Sequence, residues 1–249
     1  MHVILIPGFW LTADSWGPIA DAIRGAGHIA HPLTLPGLHK HDAHRENVTL
    51  ADQVTDVVKV IDSLIGPSAN TNDNENDNGG RTTVVIVAHS GGGPIAHAVA
   101  DARPTALARI IYVDTVPLPP GMPINDELPV VDGEIPLPEW SIFGDEDLVD
   151  LTDELREYFR KIAIPQPARV ASDPQSLSNP ERFKVPSTVI CCEFPGSQLQ
   201  EWMSAGAPFA TEIAQLEDLE LVDLPTGHWP QFTKPQELAT AIVAALYRS

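Results

Sequence analysis

The segment Val84-Val85-Ile86-Val87-Ala88 is continuously apolar and rich in β-branched residues, and it runs straight into His89-Ser90-Gly91-Gly92-Gly93-Pro94. An unbroken apolar run of this kind reads as a strand covered on both faces, as in a parallel sheet packed between helices. The small residues after it allow a sharp turn in which strand and helix pack closely. Pro94 suits the first turn of that helix, where its missing N–H is no loss. A buried strand, a tight turn bearing a serine, and a helix therefore come in immediate succession.

The rest of the chain keeps the same rhythm. Further short apolar runs lie at 3–6, 28–33, 109–113, 188–192 and 219–224, and the strand before the serine turn spans 83–88. Between them, Leu50, Val54, Val57, Val58, Ile61, Leu64 and Ile65 fall at three- and four-residue spacings, with Thr49 placed as an N-cap. Leu238, Ile242, Val243 and Leu246 form one stripe of a closing helix over 235–248. This βαβα order predicts an α/β fold with a mostly parallel sheet and helices on both faces. The 249 residues fit a single domain, 1–249, with no internal repeat.

Two segments interrupt the rhythm. Residues 68–80 read SANTNDNENDNGG, too poor in apolar side chains for a packed element, and are expected to form a flexible surface loop. Residues 117–186 form an insertion between the fourth and fifth strands. It opens with seven prolines between Pro117 and Pro138, which rule out regular helix there. Leu148, Leu151, Leu155, Tyr158, Phe159 and Ile162 then recur at helical spacing. Asp153 and Glu154 stand near the start of that pattern and Arg160 and Lys161 near its end, as the helix dipole favours. An insertion of this size reads as a cap over the strand ends, where open α/β sheets place their ligands.

Charge narrows the partners. Lys plus Arg number 15 against 34 Asp plus Glu, a net charge of −19, which disfavours nucleic acid and anionic membrane surfaces and leaves a small-molecule substrate. No apolar run approaches the roughly 18 residues of a membrane span, and the opening residues lack the basic flank of a signal peptide. The only cysteines, Cys191 and Cys192, are adjacent in a strand pattern, so they point to opposite faces and are not expected to form a structural disulfide. A reducing, cytoplasmic location is the corresponding expectation. Oligomeric state is not legible here.

Ala88-His89-Ser90-Gly91-Gly92 resembles the nucleophile elbow, Gly-x-Ser-x-Gly, of the α/β-hydrolase family, with Ala88 in place of the first glycine. Three further segments resemble that family in the same order. Ile6-Pro7-Gly8-Phe9-Trp10 stands where relatives carry a His-Gly-x turn, and Leu33-Thr34-Leu35-Pro36-Gly37 resembles a strand-end turn. Leu224-Pro225-Thr226-Gly227-His228-Trp229-Pro230 resembles the way the family presents its catalytic histidine. The resemblance implies an α/β-hydrolase fold, a serine esterase- or lactonase-like member, Ser90 as nucleophile and His228 as base. It also implies an oxyanion hole from the Phe9 and Gly91 amides, with no cofactor and no metal. His89, inside the elbow, is expected to pack rather than react. His39, His41, Asp42 and His44 cluster in a loop without fixed geometry, which reads as a solvated loop rather than a zinc site.

The acid that orients His228 has two candidates. Most of the family places it after the penultimate strand, where this chain offers only Glu193. Asp114, at the end of the preceding strand, resembles the alternative placement in haloalkane dehalogenases and is favoured. Asp223 is expected to point away. Phe9, Trp10, Trp140, Phe143, Phe194 and Trp202 are candidate pocket walls suited to a small, largely apolar ester or lactone. Dehalogenases and epoxide hydrolases of this fold use Asp at the elbow, which Ser90 does not match. The alternatives are a cofactor-free dioxygenase, a lyase resembling the hydroxynitrile lyases, or a non-enzymatic ligand receptor. Those lyases carry Lys where Trp229 stands.

Overall fold

The computed structural model of the chain describes residues 1–66 and 84–248. The loop expected at 68–80 and the first residue of the strand expected at 83–88 lie outside the described residues. In chain order the strands are β1 (His2–Ile6), β2 (Ile29–Pro32), β3 (Val84–His89), β4 (Leu107–Val113), β5 (Glu134–Ile135), β6 (Gln166–Pro167), β7 (Ser187–Cys191) and β8 (Leu219–Asp223). The helices are α1 (Gly17–Gly25), α2 (Leu50–Ile65), α3 (Gly92–Ala102), α4 (Asp153–Ile162), α5 (Ala168–Ser172), α6 (Gly196–Ser204), α7 (Pro230–Thr233) and α8 (Pro235–Leu246).

Six strands pair in parallel in the order β2-β1-β3-β4-β7-β8, so the main sheet is the one expected, with strand ends displaced by one or two residues. Side-chain alternation divides its core into two layers. Ile4, Ile6, Ile86, Ala88, Ile110, Tyr112, Val189 and Cys191 face one layer, with Val57 and Ile61 of α2, Ile95 and Val99 of α3 and Leu199 of α6. Val3, Leu5, Val85, Val87, Ile111, Val113, Ile190 and Cys192 face the other, with Ile19 and Ile23 of α1 and Leu238, Ile242 and Leu246 of α8. The two adjacent cysteines therefore belong to opposite layers, both buried. β2 is an edge strand, which is why it tolerates Pro32.

Helix α2 begins where its cap chemistry directs. Thr49 Oγ1 accepts from Asp52 N at 3.1 Å, and the Asp52 carboxylate accepts from Thr49 N at 2.9 Å, a reciprocal capping box. Thr49→Ala is expected to destabilise the protein by about 1 kcal/mol, read as a lower denaturation midpoint at unchanged slope. An unchanged midpoint would remove the capping role.

The insertion leaves the sheet after β4 and returns at β7. Its proline-rich opening forms no helix, but β5 lies within it and pairs antiparallel with β6, a ribbon the sequence pattern does not signal. The helix expected from Leu148 starts only at Asp153, because Thr152 caps it and Leu148 and Leu151 sit in the preceding turns. Helix α8 ends at Leu246, two residues short of the expected 248. Among the described residues, no helix is long and apolar enough to cross a membrane.

Candidate active site

The carboxyl ends of β1, β3 and β4, together with the loop after β8, converge on one spot. β1 and β2 run to one side of β3 and β4, β7 and β8 to the other, so the spot lies where strand order reverses. Ser90 follows β3 with φ of 50°, in the left-handed region that serine seldom adopts. Its N–H donates to Val113 O at 3.2 Å, and its carbonyl accepts from Gly93 N at 2.8 Å, opening α3. Helix α3 then backs directly onto β1: a Cβ on Gly92 would stand 2.8 Å from Pro7 O. Trp10 and Asp114 also have positive φ, 65° and 48°. Such strain costs about 1–3 kcal/mol per residue and persists only where the surroundings impose it. Here three such residues gather around one cavity.

His228 links the two sides. Its Nε2 lies 2.7 Å from Ser90 Oγ, and its Nδ1 lies 2.7 Å from Asp114 Oδ2. The Asp114 side chain is 0% exposed, yet its other oxygen accepts from Cys192 N at 2.8 Å and Glu193 N at 3.1 Å. Those bonds satisfy a buried carboxylate and fix its orientation. Glu193 Oε2 is further away, 3.4 Å from His228 Nδ1. Of the two candidate acids, Asp114 thus stands nearer to His228 Nδ1, with Glu193 at the longer ion-pair distance. Burial works against a charged His228 ring, but hydrogen bonds and attraction from Asp114 and Glu193 outweigh it, so its pKa is raised. Asp223 faces elsewhere, accepting from Gly196 N at 2.6 Å at the start of α6.

The insertion supplies a third acid. Asp147 is pushed up to about 6 by burial and by its hydrogen-bonded neighbour Glu193. Its backbone carbonyl accepts from His228 N at 2.9 Å. The notable N–H groups are those of Phe9 and Gly91. Among the described residues neither has an acceptor within the protein, and both residues line the same cavity as Ser90. Two free donors beside a serine hydroxyl can receive an oxyanion.

That cavity measures about 340 Å³. Trp10, Phe143, Phe194 and Trp202 line it as expected, but Trp140 does not. Trp140 packs behind the wall, its ring 5.7 Å from those of Phe143 and Phe159 and 5.8 Å from that of Trp229, with Arg160 stacked over it. Ile124, Leu128, Phe209 and Trp229 are wall residues that the sequence reading missed. Ile124 and Leu128 follow β4 closely, and Trp229 adjoins His228; their chain proximity to the strand ends was the available signal. The histidine-rich loop does not assemble: Asp42 accepts from Gly37 N and His39 N, and His44 faces Glu46. Among the described residues, the one metal-compatible set of ligand atoms is Asp114, Glu193 and His228, and there both His228 nitrogens already face Asp114 and Ser90.

A parallel sheet carrying a serine elbow, with histidine and aspartate at the same edge, defines the architecture of an α/β hydrolase. The chain belongs to the alpha/beta hydrolase family, whose model matches residues 3–241. No curated protein sequence matches it. Among solved structures it resembles an extracellular alpha/beta-hydrolase from a Paenibacillus species, at 20% identity over 98% of both chains with a TM-score of 0.72. It also resembles the methylesterase MES16 from Arabidopsis, at 18% identity over 99% of this chain and 98% of that one, TM-score 0.72. Polyneuridine aldehyde esterase is similar at 16% identity over 98% of both chains, TM-score 0.67. At these identities the likeness is one of fold.

Proposed function

We propose that the chain is a serine hydrolase of small, largely apolar carboxylic esters or lactones, working through an acyl-enzyme. The observation that carries this reading is the unbroken hydrogen-bonded line from Ser90 Oγ through His228 to buried Asp114, at the wall of an apolar cavity. Ser90 attacks the substrate carbonyl while His228 Nε2 takes its proton. Asp114 holds Nδ1–H and so keeps the acceptor nitrogen toward Ser90. The Phe9 and Gly91 amides receive the oxyanion. His228 then returns the proton to the leaving alkoxide, and water, deprotonated by the same imidazole, releases the acid. Two of the similar structures carry esterase names, which adds weight to ester chemistry.

Turnover across a panel of aryl esters and lactones, with a fluorophosphonate label mapped by mass spectrometry, tests the reading. The expected result is ester turnover and a label on Ser90. Oxygen uptake with a heteroaromatic substrate and no ester turnover would replace it with the dioxygenase reading. Tight binding without turnover of any substrate would replace it with a receptor.

In this reading the insertion at 117–186 is a cap that selects substrates. Phe143 lines the cavity, so Phe143→Ala should change KM or substrate ranking several-fold while small activated esters still react. Trp140→Ala, behind the wall, should instead weaken the insertion by about 1–3 kcal/mol through lost aromatic pairs. Equal loss on all substrates in the Phe143 variant, with the fold intact, would contradict the cap's role.

A further inference from the structure

We propose that His89, the residue immediately before the nucleophile, is a positioning residue that fastens the loop of the catalytic histidine to the elbow through an Nε2–H hydrogen bond to the backbone carbonyl of His228. The proposal rests on reading His228 as the base that serves Ser90.

The topology makes such a fastening necessary. Ser90 follows β3, whereas His228 follows β8, the strand at the edge of the sheet. β4 and β7 stand between them, so the histidine loop must reach across three strand spacings of about 4.8 Å each. A loop reaching that far holds its ring within hydrogen-bond distance of Ser90 only if its backbone is anchored near the elbow.

His89 provides that anchor. Its side chain is buried, with Nε2 2.6 Å from His228 O and Nδ1 3.3 Å from Gln231 Nε2. A carbonyl oxygen can only accept, so the proton must sit on Nε2. Nδ1 is then the acceptor, which agrees with the amide of Gln231 donating to it. Both ring nitrogens are thereby used, in a single tautomer. Burial, reinforced by the nearby His228 charge, pushes the His89 pKa down to about 3, so the ring stays neutral throughout the working range. Space for the ring comes from Gly8, where a Cβ would lie 2.7 Å from Nδ1.

The same peptide is held from the other side. His228 N donates to Asp147 O in the insertion at 2.9 Å, and Gly227 N donates to Val149 O at 3.1 Å. The backbone of the base is therefore clamped between elbow and insertion. Among the described residues, the His89 bond is the one hydrogen bond that ties this backbone, as distinct from the His228 ring, to the element that carries the nucleophile, and His89 and Ser90 are consecutive in the chain. A displacement of one is transmitted to the other. Hydrogen-bond geometry at a reacting centre is steep enough for this to matter: a shift of about 1 Å can cost about 10²-fold in rate.

Two replacements and one spectroscopic measurement test the proposal. His89→Leu fills the space without a donor, whereas His89→Gln can place an amide N–H near the position of Nε2. His89→Leu is expected to lower kcat by about 10–100-fold with KM changed little. His89→Gln is expected to recover most of that loss. In the wild-type protein, imidazole ¹⁵N shifts should show His89 neutral and protonated at Nε2 from pH 5 to 9. Should the Leu variant fail to fold, the Gln variant and the ¹⁵N shifts still decide. A folded Leu variant with wild-type kcat, a Gln variant no better than a folded Leu variant, or a His89 ring that titrates near neutral pH would each overturn the positioning role. Full activity in Ser90→Ala would instead remove the underlying reading of His228, and the proposal with it. An inactive Ser90→Ala beside an unimpaired His89→Leu overturns the positioning role alone.

Discussion

Ser90→Ala is expected to lower kcat by about 10⁴–10⁶-fold while leaving substrate binding and the fold in place. The hydroxyl is the only group lost, and its one partner among the described residues, His228 Nε2, belongs to a side chain that is 19% exposed and retains access to solvent. No buried group is therefore orphaned. The left-handed backbone at position 90 strains alanine as it strains serine, so stability should change little. What remains in the variant are the two amides beside the serine and the cavity walls, and these alone sustain a residual rate over water of about 10³–10⁴. Steady-state kinetics, binding of an unreactive substrate analogue and loss of fluorophosphonate labelling measure the three parts separately. Wild-type turnover in the alanine variant would end the acyl-enzyme reading, whatever the geometry.

What could be read from residues alone follows the range of the interactions involved. The strand before Ser90, the capping of α2 by Thr49 and the division of the sheet into two layers depend on period-two and period-3.6 patterns and on bonds between near neighbours. These were legible. So was the location of Asp114 beside His228, because a carboxylate at the end of a central strand has few places to go except the carboxyl edge of the sheet. The β5–β6 ribbon was not legible: its partners lie about 30 residues apart and each strand contributes only two residues. Trp140 was misplaced because aromatic composition cannot distinguish a cavity wall from the layer behind it. α4 carries alternating charge and apolar residues that continue the helical period backward through Leu151 and Leu148, and only the Thr152 cap stops the helix. The part played by His89 depends on a carbonyl 139 residues away, which no local pattern encodes.

Asp114→Asn is expected to cost on the order of 10⁴-fold in kcat at neutral pH, by analogy with other triads. The hydrogen bonds around Asp114 explain why an isosteric change should be so damaging. Oδ1 accepts from two backbone amides, Cys192 N and Glu193 N, so the asparagine must keep its carbonyl oxygen there. Its NH₂ group then faces His228 Nδ1. Two donors cannot face each other, so the imidazole moves its proton to Nε2 and turns a donor toward Ser90 Oγ. In that tautomer His228 cannot accept the serine proton. Glu193→Gln should behave differently, because Glu193 lies 3.4 Å from the ring and has no comparable hold on it. Its loss is expected to change kcat by about tenfold or less. The pH profile separates the two variants further. His228 has a raised pKa partly because Glu193 attracts the imidazolium, and only the neutral ring can act as base. Activity is therefore lost as pH falls through that raised value. Removing the Glu193 charge lowers it, so the acid limb of kcat/KM should move to lower pH. A large loss in Glu193→Gln with a small one in Asp114→Asn would transfer the orienting role to Glu193. Comparable losses in both would mean that the imidazolium needs the two carboxylates together.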